Sequence, residues 1–413
     1  MEIESRFSIS ARRMSRSIIR ELLKLTRKPG LISFAGGLPF PGTFPQDKVR
    51  EICDELLTDI PETVLQYSPT EGIMPLRESL KGFLKEQGFD IGEKQLIVTT
   101  ASQQSLDLVG KVFIDRGDTV VTENPTYLGA LSAFRAYGAK FLTVNVDNEG
   151  IRTDLLEERL KEIKKGAGNG SEYYQNMPKF IYTVPDFQNP TGTVMSLNRR
   201  KELLNLAEEY DLLIVEDIPY RWLRYSGENL PMLSSMDLSG RVIGLFTFSK
   251  ILSPGLRLGW ITAQETVMDK IVQAKQAADL CTSALTQGIA DLYIRRSYIN
   301  SGIESNIVTY RKKLNIMLES INAFFPRDFG MELYEPSGGL FLWIRLPESL
   351  DTDELFKYAI DRNVAYVIGS AFYPNGGGHS TMRLNFSYPQ TEDIREGIRR
   401  LGGLIEDTLK ERS

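Results

Sequence analysis

Lys250 stands directly behind an apolar stretch, Val242 to Phe248, and ahead of Ile251-Leu252-Ser253-Pro254-Gly255-Leu256-Arg257, a constrained turn into another apolar run. A lysine amine held partly out of water loses proton affinity and can form a Schiff base with an aldehyde. Arg257 returns to the same region, and a guanidinium suits a phosphate, which it grips with two parallel hydrogen bonds. Ser102 and Gln103 open a helix behind Leu96 to Thr100. A helix N-terminus adds free N–H groups and a positive dipole end for the same anion. Asp217 follows Leu212 to Val215, with Tyr220 three residues on, and Asn189 follows Phe180 to Val184. An acid, an amide, an amine and a hydroxyl are thereby aimed at one edge of a sheet. An aldehyde, a phosphate and a ring nitrogen needing a buried carboxylate together describe pyridoxal 5'-phosphate.

The elements that must position these groups alternate along the chain. Strand patterns at Leu96 to Thr100, Thr119 to Thr122, Phe141 to Val146, Phe180 to Val184, Leu212 to Val215, Val242 to Phe248 and Leu256 to Thr262 are short, apolar and rich in β-branched residues. Between them run helical patterns: Ser102 to Phe113 with Ser102 as its cap, Tyr127 to Tyr137, Thr153 to Lys164 and Leu197 to Tyr210. Such alternation predicts an α/β fold whose mainly parallel sheet is covered on both faces. Ligands then sit at the carboxyl ends of the strands. A helical stretch is expected from Glu265 past Cys281, and a smaller α+β unit beyond Tyr310, with strands Phe341 to Leu346 and Met382 to Phe386. Arg16 to Lys28 has amphipathic helical spacing, stopped by Pro29-Gly30.

Composition narrows the chemistry. The 413 residues are 42% hydrophobic, ordinary for a globular chain, and the formal charge of −5 argues against a nucleic-acid binder driven by a global positive field. Two distant cysteines, Cys53 and Cys281, make no disulfide framework, and with one histidine, His379, a zinc site is not expected. No metal is therefore expected. No apolar run approaches ~20 residues and the N-terminus lacks a signal-peptide core, so a cytoplasmic protein without a membrane span is expected.

The motifs now match a family. Ser249 to Gly259 resembles the cofactor-lysine motif of the fold-type-I, class I/II aminotransferases; Asn189-Pro190-Thr191-Gly192 and Asp217-Ile218-Pro219-Tyr220 are similar to two further elements of that family. Gly36-Gly37-Leu38-Pro39, Leu65-Gln66-Tyr67-Ser68 and Ser102 to Asp107 resemble its α-aminoadipate/kynurenine branch. The matches keep family order from about residue 20 to Arg383, which makes the set specific where each motif alone is weak. One departure is Ile218, where the branch commonly has a second Asp.

The resemblance implies a large pyridoxal-phosphate-binding domain over 46–300 built on a seven-stranded-type sheet. It also implies a small C-terminal domain over 301–413 and an N-terminal helix and arm over 1–45 packing on it. Lys250 would hold the cofactor as an aldimine and shuttle a proton, Asp217 would pair with the ring nitrogen, and Tyr220 and Asn189 would bond the ring oxygen. Tyr127 would stack on the ring. Ser102, Gln103, Ser249 and Arg257 would hold the phosphate, and Tyr67 would reach it from the neighbouring subunit of a homodimer. Arg383 would clamp the substrate carboxylate beside Gly37 and Asn189, and Arg20 could meet a distal carboxylate. The implied reaction is a ping-pong transamination between an amino acid (2-aminoadipate, aromatic, kynurenine or branched-chain type) and a 2-oxo acid such as 2-oxoglutarate. A decarboxylase or lyase on the same fold is the alternative, disfavoured because Tyr127 occupies a slot often held by histidine in decarboxylases. A transcription regulator's effector domain is a third reading, disfavoured by the short stretch before Gly36.

Overall fold

The computed structural model describes residues 3–14 and 29–412. The helix expected over Arg16 to Lys28 lies outside the described residues. A large sheet contains β2 (Leu96–Thr99), β3 (Thr119–Asn124), β4 (Lys140–Asp147), β5 (Gly150–Ile151), β6 (Phe180–Thr183), β7 (Leu213–Ile218), β8 (Val242–Thr247) and β9 (Gly259–Thr262). Their spatial order is β2-β9-β8-β7-β6-β3-β4-β5. The run β8-β7-β6-β3-β4 is parallel; β9 is antiparallel to both β8 and β2, and β5 is a short antiparallel addition to β4. The seven expected strands are therefore present, with one two-residue hairpin strand added.

β2, β6, β8 and β9 are buried at every position, which is why they read as unbroken apolar runs. Phe246 of β8 and Trp260 of β9 stack with ring centroids 4.9 Å apart. Helices Ala101–Phe113, Leu128–Tyr137, Thr153–Gly166 and Leu197–Glu209 connect the strands. Gly138, at φ +93°, closes the second of these, a backbone position that an L side chain resists. Because β3, β6, β7 and β8 run parallel, their carboxyl ends share one edge.

The smaller sheet has the order β10-β11-β14-β13, from β10 (Glu332–Tyr334), β11 (Phe341–Arg345), β13 (Val367–Ile368) and β14 (Thr381–Asn385). β1 (Ile32–Ser33) pairs in parallel with β12 (Val364–Ala365), which ties the beginning of the chain to its C-terminal part. One helix, Tyr298–Phe324, runs across position 300 and packs on the terminal helix Thr391–Arg412.

Two local expectations need correction. The helical stretch from Glu265 does not run past Cys281: Glu265–Gln276 and Ala284–Arg295 are separate helices. Leu280 sits at φ +63° between them, and Ser283 Oγ accepts Thr286 N–H to start the second. The break places Asp279 where it accepts from Lys275 Nζ (2.6 Å), Gln104 Nε2 (2.6 Å) and the Thr100 hydroxyl (3.0 Å), anchoring the start of helix Ala101–Phe113. Ser102 is not that helix's cap. Thr100 holds the position, and its N–H donates to Gln104 Oε1 at 2.7 Å, so Ser102 falls inside the first turn.

Candidate active site

Lys250 follows β8, and its half-covered side chain reaches the N-terminal arm, donating to the Gly37 carbonyl at 2.7 Å. Loss of water, reinforced by the Arg383 and Arg257 guanidiniums, lowers the amine's pKa from 10.5 to about 8. Far more of the amine is thus the uncharged nucleophile near neutral pH than for an ordinary lysine.

Asp217 lies near the end of β7, inside the strand rather than after it. Its Oδ2 accepts the Tyr182 hydroxyl at 2.8 Å, while Oδ1 is buried with no partner among the described residues. Burial raises the carboxyl from 3.8 to about 7, against the opposing effect of the Tyr182 bond. An orphaned buried carboxylate oxygen is costly unless something positive meets it. Neighbouring Glu216 points to the opposite face and accepts Leu233 and Ser234 N–H at 2.8 Å each. Strand alternation therefore gives two adjacent acids two different tasks.

Arg383, on β14, is fully buried and forms no ion pair among the described residues. It donates to Asn189 Oδ1 (2.8 Å) and to Ala35 O (3.0 Å), and its guanidinium lies over Phe341 (4.1 Å) and Phe372 (5.1 Å). Burial lowers its pKa to about 10, and it stays charged at neutral pH. A rigidly held cation without a counter-ion is a receptor for a carboxylate. Asn189 Nδ2 donates to the Tyr220 hydroxyl at 3.3 Å, and Gly192, at φ +75°, turns the chain after it where a Cβ would meet Phe341 O at 3.1 Å.

The remaining candidates spread around this centre. Tyr127 precedes helix Leu128–Tyr137; burial and then the Asp217 anion push its phenol up to about 12. Gln103 is exposed and donates to Gly129 O at 3.2 Å, two residues beyond Tyr127. Ser249 accepts the Thr247 hydroxyl at 2.8 Å beside Lys250. Arg257 is exposed, at φ +50°, and donates to Pro254 O at 3.2 Å. Tyr67 is 76% exposed, and its ring stands in water in the single chain. Arg20 lies outside the described residues. The structure thus brings Lys250, Gly37, Asn189, Tyr220, Asp217, Tyr127 and Arg383 together, and leaves Tyr67 apart from them.

Sequence reading missed Tyr182, Glu123, Phe341 and Phe372. Glu123, at the end of β3, is buried and accepts the Thr183 hydroxyl (2.5 Å) and Gln188 Nε2 (3.0 Å). Burial raises its carboxyl to about 7. An acid beside the buried run Val120 to Thr122 was the available signal. His379 is exposed, next to Asp353, and takes no part in the site.

The family model for aminotransferase class I and II matches residues 40–401. The chain belongs to this family. It is 44% identical to aromatic-amino-acid aminotransferase 1 of Thermococcus litoralis, over 99% of this chain and 96% of that one. It is 41% identical to 2-aminoadipate transaminase of Thermus thermophilus, over 98% of this chain and 97% of that one. A kynurenine aminotransferase structure from Pyrococcus horikoshii, solved with PMP, superimposes with a TM-score of 0.93 at 42% identity, covering 99% of this chain and 98% of that one. The aminotransferase is a fold-type-I enzyme with pyridoxal phosphate as its cofactor. Its residues suit that group. The orphaned Asp217 Oδ1 matches a protonated ring nitrogen, the Lys250 amine matches an aldehyde, and Arg383 is free to take a carboxylate. Among the described residues no helix is long and apolar enough to cross a membrane.

Proposed function

We propose that this aminotransferase moves the amino group of a broad set of amino acids (2-aminoadipate, aromatic, kynurenine and branched-chain types) to a 2-oxo acid, 2-oxoglutarate foremost. The observation that carries the reading is the convergence of a depressed amine, an orphaned carboxylate oxygen and an unpaired buried guanidinium at one sheet edge. The relatives named for aromatic amino acids and 2-aminoadipate, and the structural neighbour named for kynurenine, support the breadth.

When bound, pyridoxal phosphate supplies an aldehyde that condenses with amines and a pyridinium ring that accepts the electron pair released at the substrate Cα. Asp217 Oδ1 would hold the proton on the ring nitrogen, with Tyr182 fixing the carboxylate through Oδ2. Tyr220 and Asn189 would bond the ring oxygen, and Tyr127 would cover one ring face. Ser102, Gln103, Ser249 and Arg257 would bind the phosphate. Arg383 would orient the substrate carboxylate, with Asn189 and the Gly37 backbone beside it. The Lys250 amine, whose proton affinity burial lowers, would take the Cα proton in its uncharged form. Two half-reactions in turn would release first a 2-oxo acid and then a new amino acid.

A homodimer in which Tyr67 completes the neighbouring site fits the stretch that leaves Leu57, Ile60, Leu65 and Tyr67 exposed. A cytoplasmic location fits the same reading. The test is a half-reaction screen of the 20 common amino acids with 2-aminoadipate and kynurenine, read by absorbance of the bound cofactor. Aminoadipate, kynurenine, aromatic and branched-chain donors should remove the visible band and 2-oxoglutarate should restore it. A band that no amino acid changes would refute the reading.

A further inference from the structure

Gln188 is 1% exposed and uses every hydrogen-bonding position of its side chain. Nε2 donates to Glu123 Oε2 (3.0 Å) and to Pro125 O (2.8 Å). Oε1 accepts Thr191 N–H (2.8 Å) and the Thr191 hydroxyl (2.7 Å). The amide orientation follows from the partners, because only nitrogen can face a carbonyl and only oxygen can face a backbone N–H. The main chain of the same residue closes the turn: Gly192 N–H donates to Gln188 O at 2.6 Å, and Gln188 N–H donates to Thr193 O at 2.9 Å.

These bonds join two loops from different strand ends. Pro125 lies two residues before Tyr127, after β3; Thr191 lies two residues after Asn189, behind β6. No carbon chain links the loops locally, so the planar amide sets the spacing between Pro125 O and the Thr191 nitrogen. Glu123 holds the donor end and is itself held by Thr183. A buried network in which every member is satisfied is rigid, and breaking one member leaves several polar atoms unpaired.

We infer that Gln188 is a positioning residue that fixes the ring-covering Tyr127 against the Asn189 amide, and so sets the shape of the slot for the cofactor ring. The inference deepens the proposed function and rests on its roles for Tyr127 and Asn189. The side-chain hydrogen bonds of Gln188 go to Glu123, Pro125 and Thr191, so it would act through the two loops.

The test uses the full-length chain loaded with pyridoxal phosphate. Gln188→Glu turns an acceptor oxygen toward Glu123 and Pro125 O, and Gln188→Met removes all four bonds at similar volume. Both should weaken pyridoxal phosphate binding by about tenfold or more, the factor for a lost hydrogen bond to a charged group. Both should also alter the visible circular dichroism of the bound cofactor, which reads the ring's pose. The double variant Glu123→Gln with Gln188→Glu restores an N–H···O pair between residues 123 and 188 while an acceptor still faces Pro125 O, and should regain only part of the affinity and the band shape. If Gln188→Glu does not fold, the Met and double variants carry the same comparison. Variants that melt lower but keep wild-type affinity and dichroism would overturn the inference, because the amide would then only support folding. A wild-type chain that takes up no pyridoxal phosphate would instead overturn the functional reading, so the two failures are distinguishable.

Discussion

Replacing Asp217 with Asn should stabilise the cofactor-free protein at pH 8 while disabling the loaded enzyme. The carboxyl is buried and rises from 3.8 to about 7 in the fold. Between about pH 4 and pH 7 the folded chain therefore holds a proton that the unfolded chain has released. Stability of the cofactor-free protein falls as pH rises through that window, reaching a cost of about 4 kcal/mol above it. Asn removes the charge, keeps an oxygen for the Tyr182 hydroxyl, and leaves an unpartnered amide N–H costing about 1–3 kcal/mol. The net expectation is a variant about 1–3 kcal/mol more stable than wild type at pH 8, with the advantage gone near pH 4. Relief of Glu123, whose proton affinity the Asp217 charge also raises, acts in the same direction. Urea unfolding of cofactor-free wild type and variant across pH 4–8, at one protein concentration, measures this. The loaded variant should lose roughly 100-fold or more in kcat, since a preorganised charge is removed from the reacting ring. A variant less stable than wild type at pH 8, or equally advantaged at pH 4, would refute the reasoning.

Capture of pyridoxal phosphate by the cofactor-free chain should follow the uncharged Lys250 amine and be half-maximal near pH 8, as stopped-flow absorbance would show. The depressed lysine also predicts stability rising with pH between about 8 and 10.5, where the unfolded chain binds the extra proton. Arg383→Lys loses the fork that meets Asn189 and Ala35, and should lower kcat/KM for amino acids by about 100-fold while leaving cofactor absorbance unchanged. Asp186, buried among Arg200, Arg221 and Arg224, is a structural contrast. Asp186→Asn should cost about 3–5 kcal/mol in unfolding experiments without altering the cofactor spectrum.

Lys250, Asp217 and Asn189 were legible because each sits at the end of an apolar run, where a charged or polar residue breaks the pattern. Strands β6 and β8 were legible because complete burial makes each a short unbroken apolar run. Tyr182 and Gln188 were not, because their tasks depend on which strand lies beside which. Tyr182 faces Asp217 only because β6 pairs with β7 in the register Tyr182–Val215, which places residues 182, 215 and 217 on one face. The Phe341 and Phe372 rings around Arg383 come from distant segments and leave no local trace. The break at Leu280 was hidden because the apolar spacing continues across it, and only the backbone turn and the Asp279 contacts reveal it.

The most direct test of the central claim is borohydride reduction of the cofactor-loaded protein, followed by digestion and mass spectrometry. The label should appear on the peptide containing Lys250, and the Lys250→Ala chain should carry none and turn over no substrate. A label on another lysine, or undiminished turnover in that variant, would contradict the account.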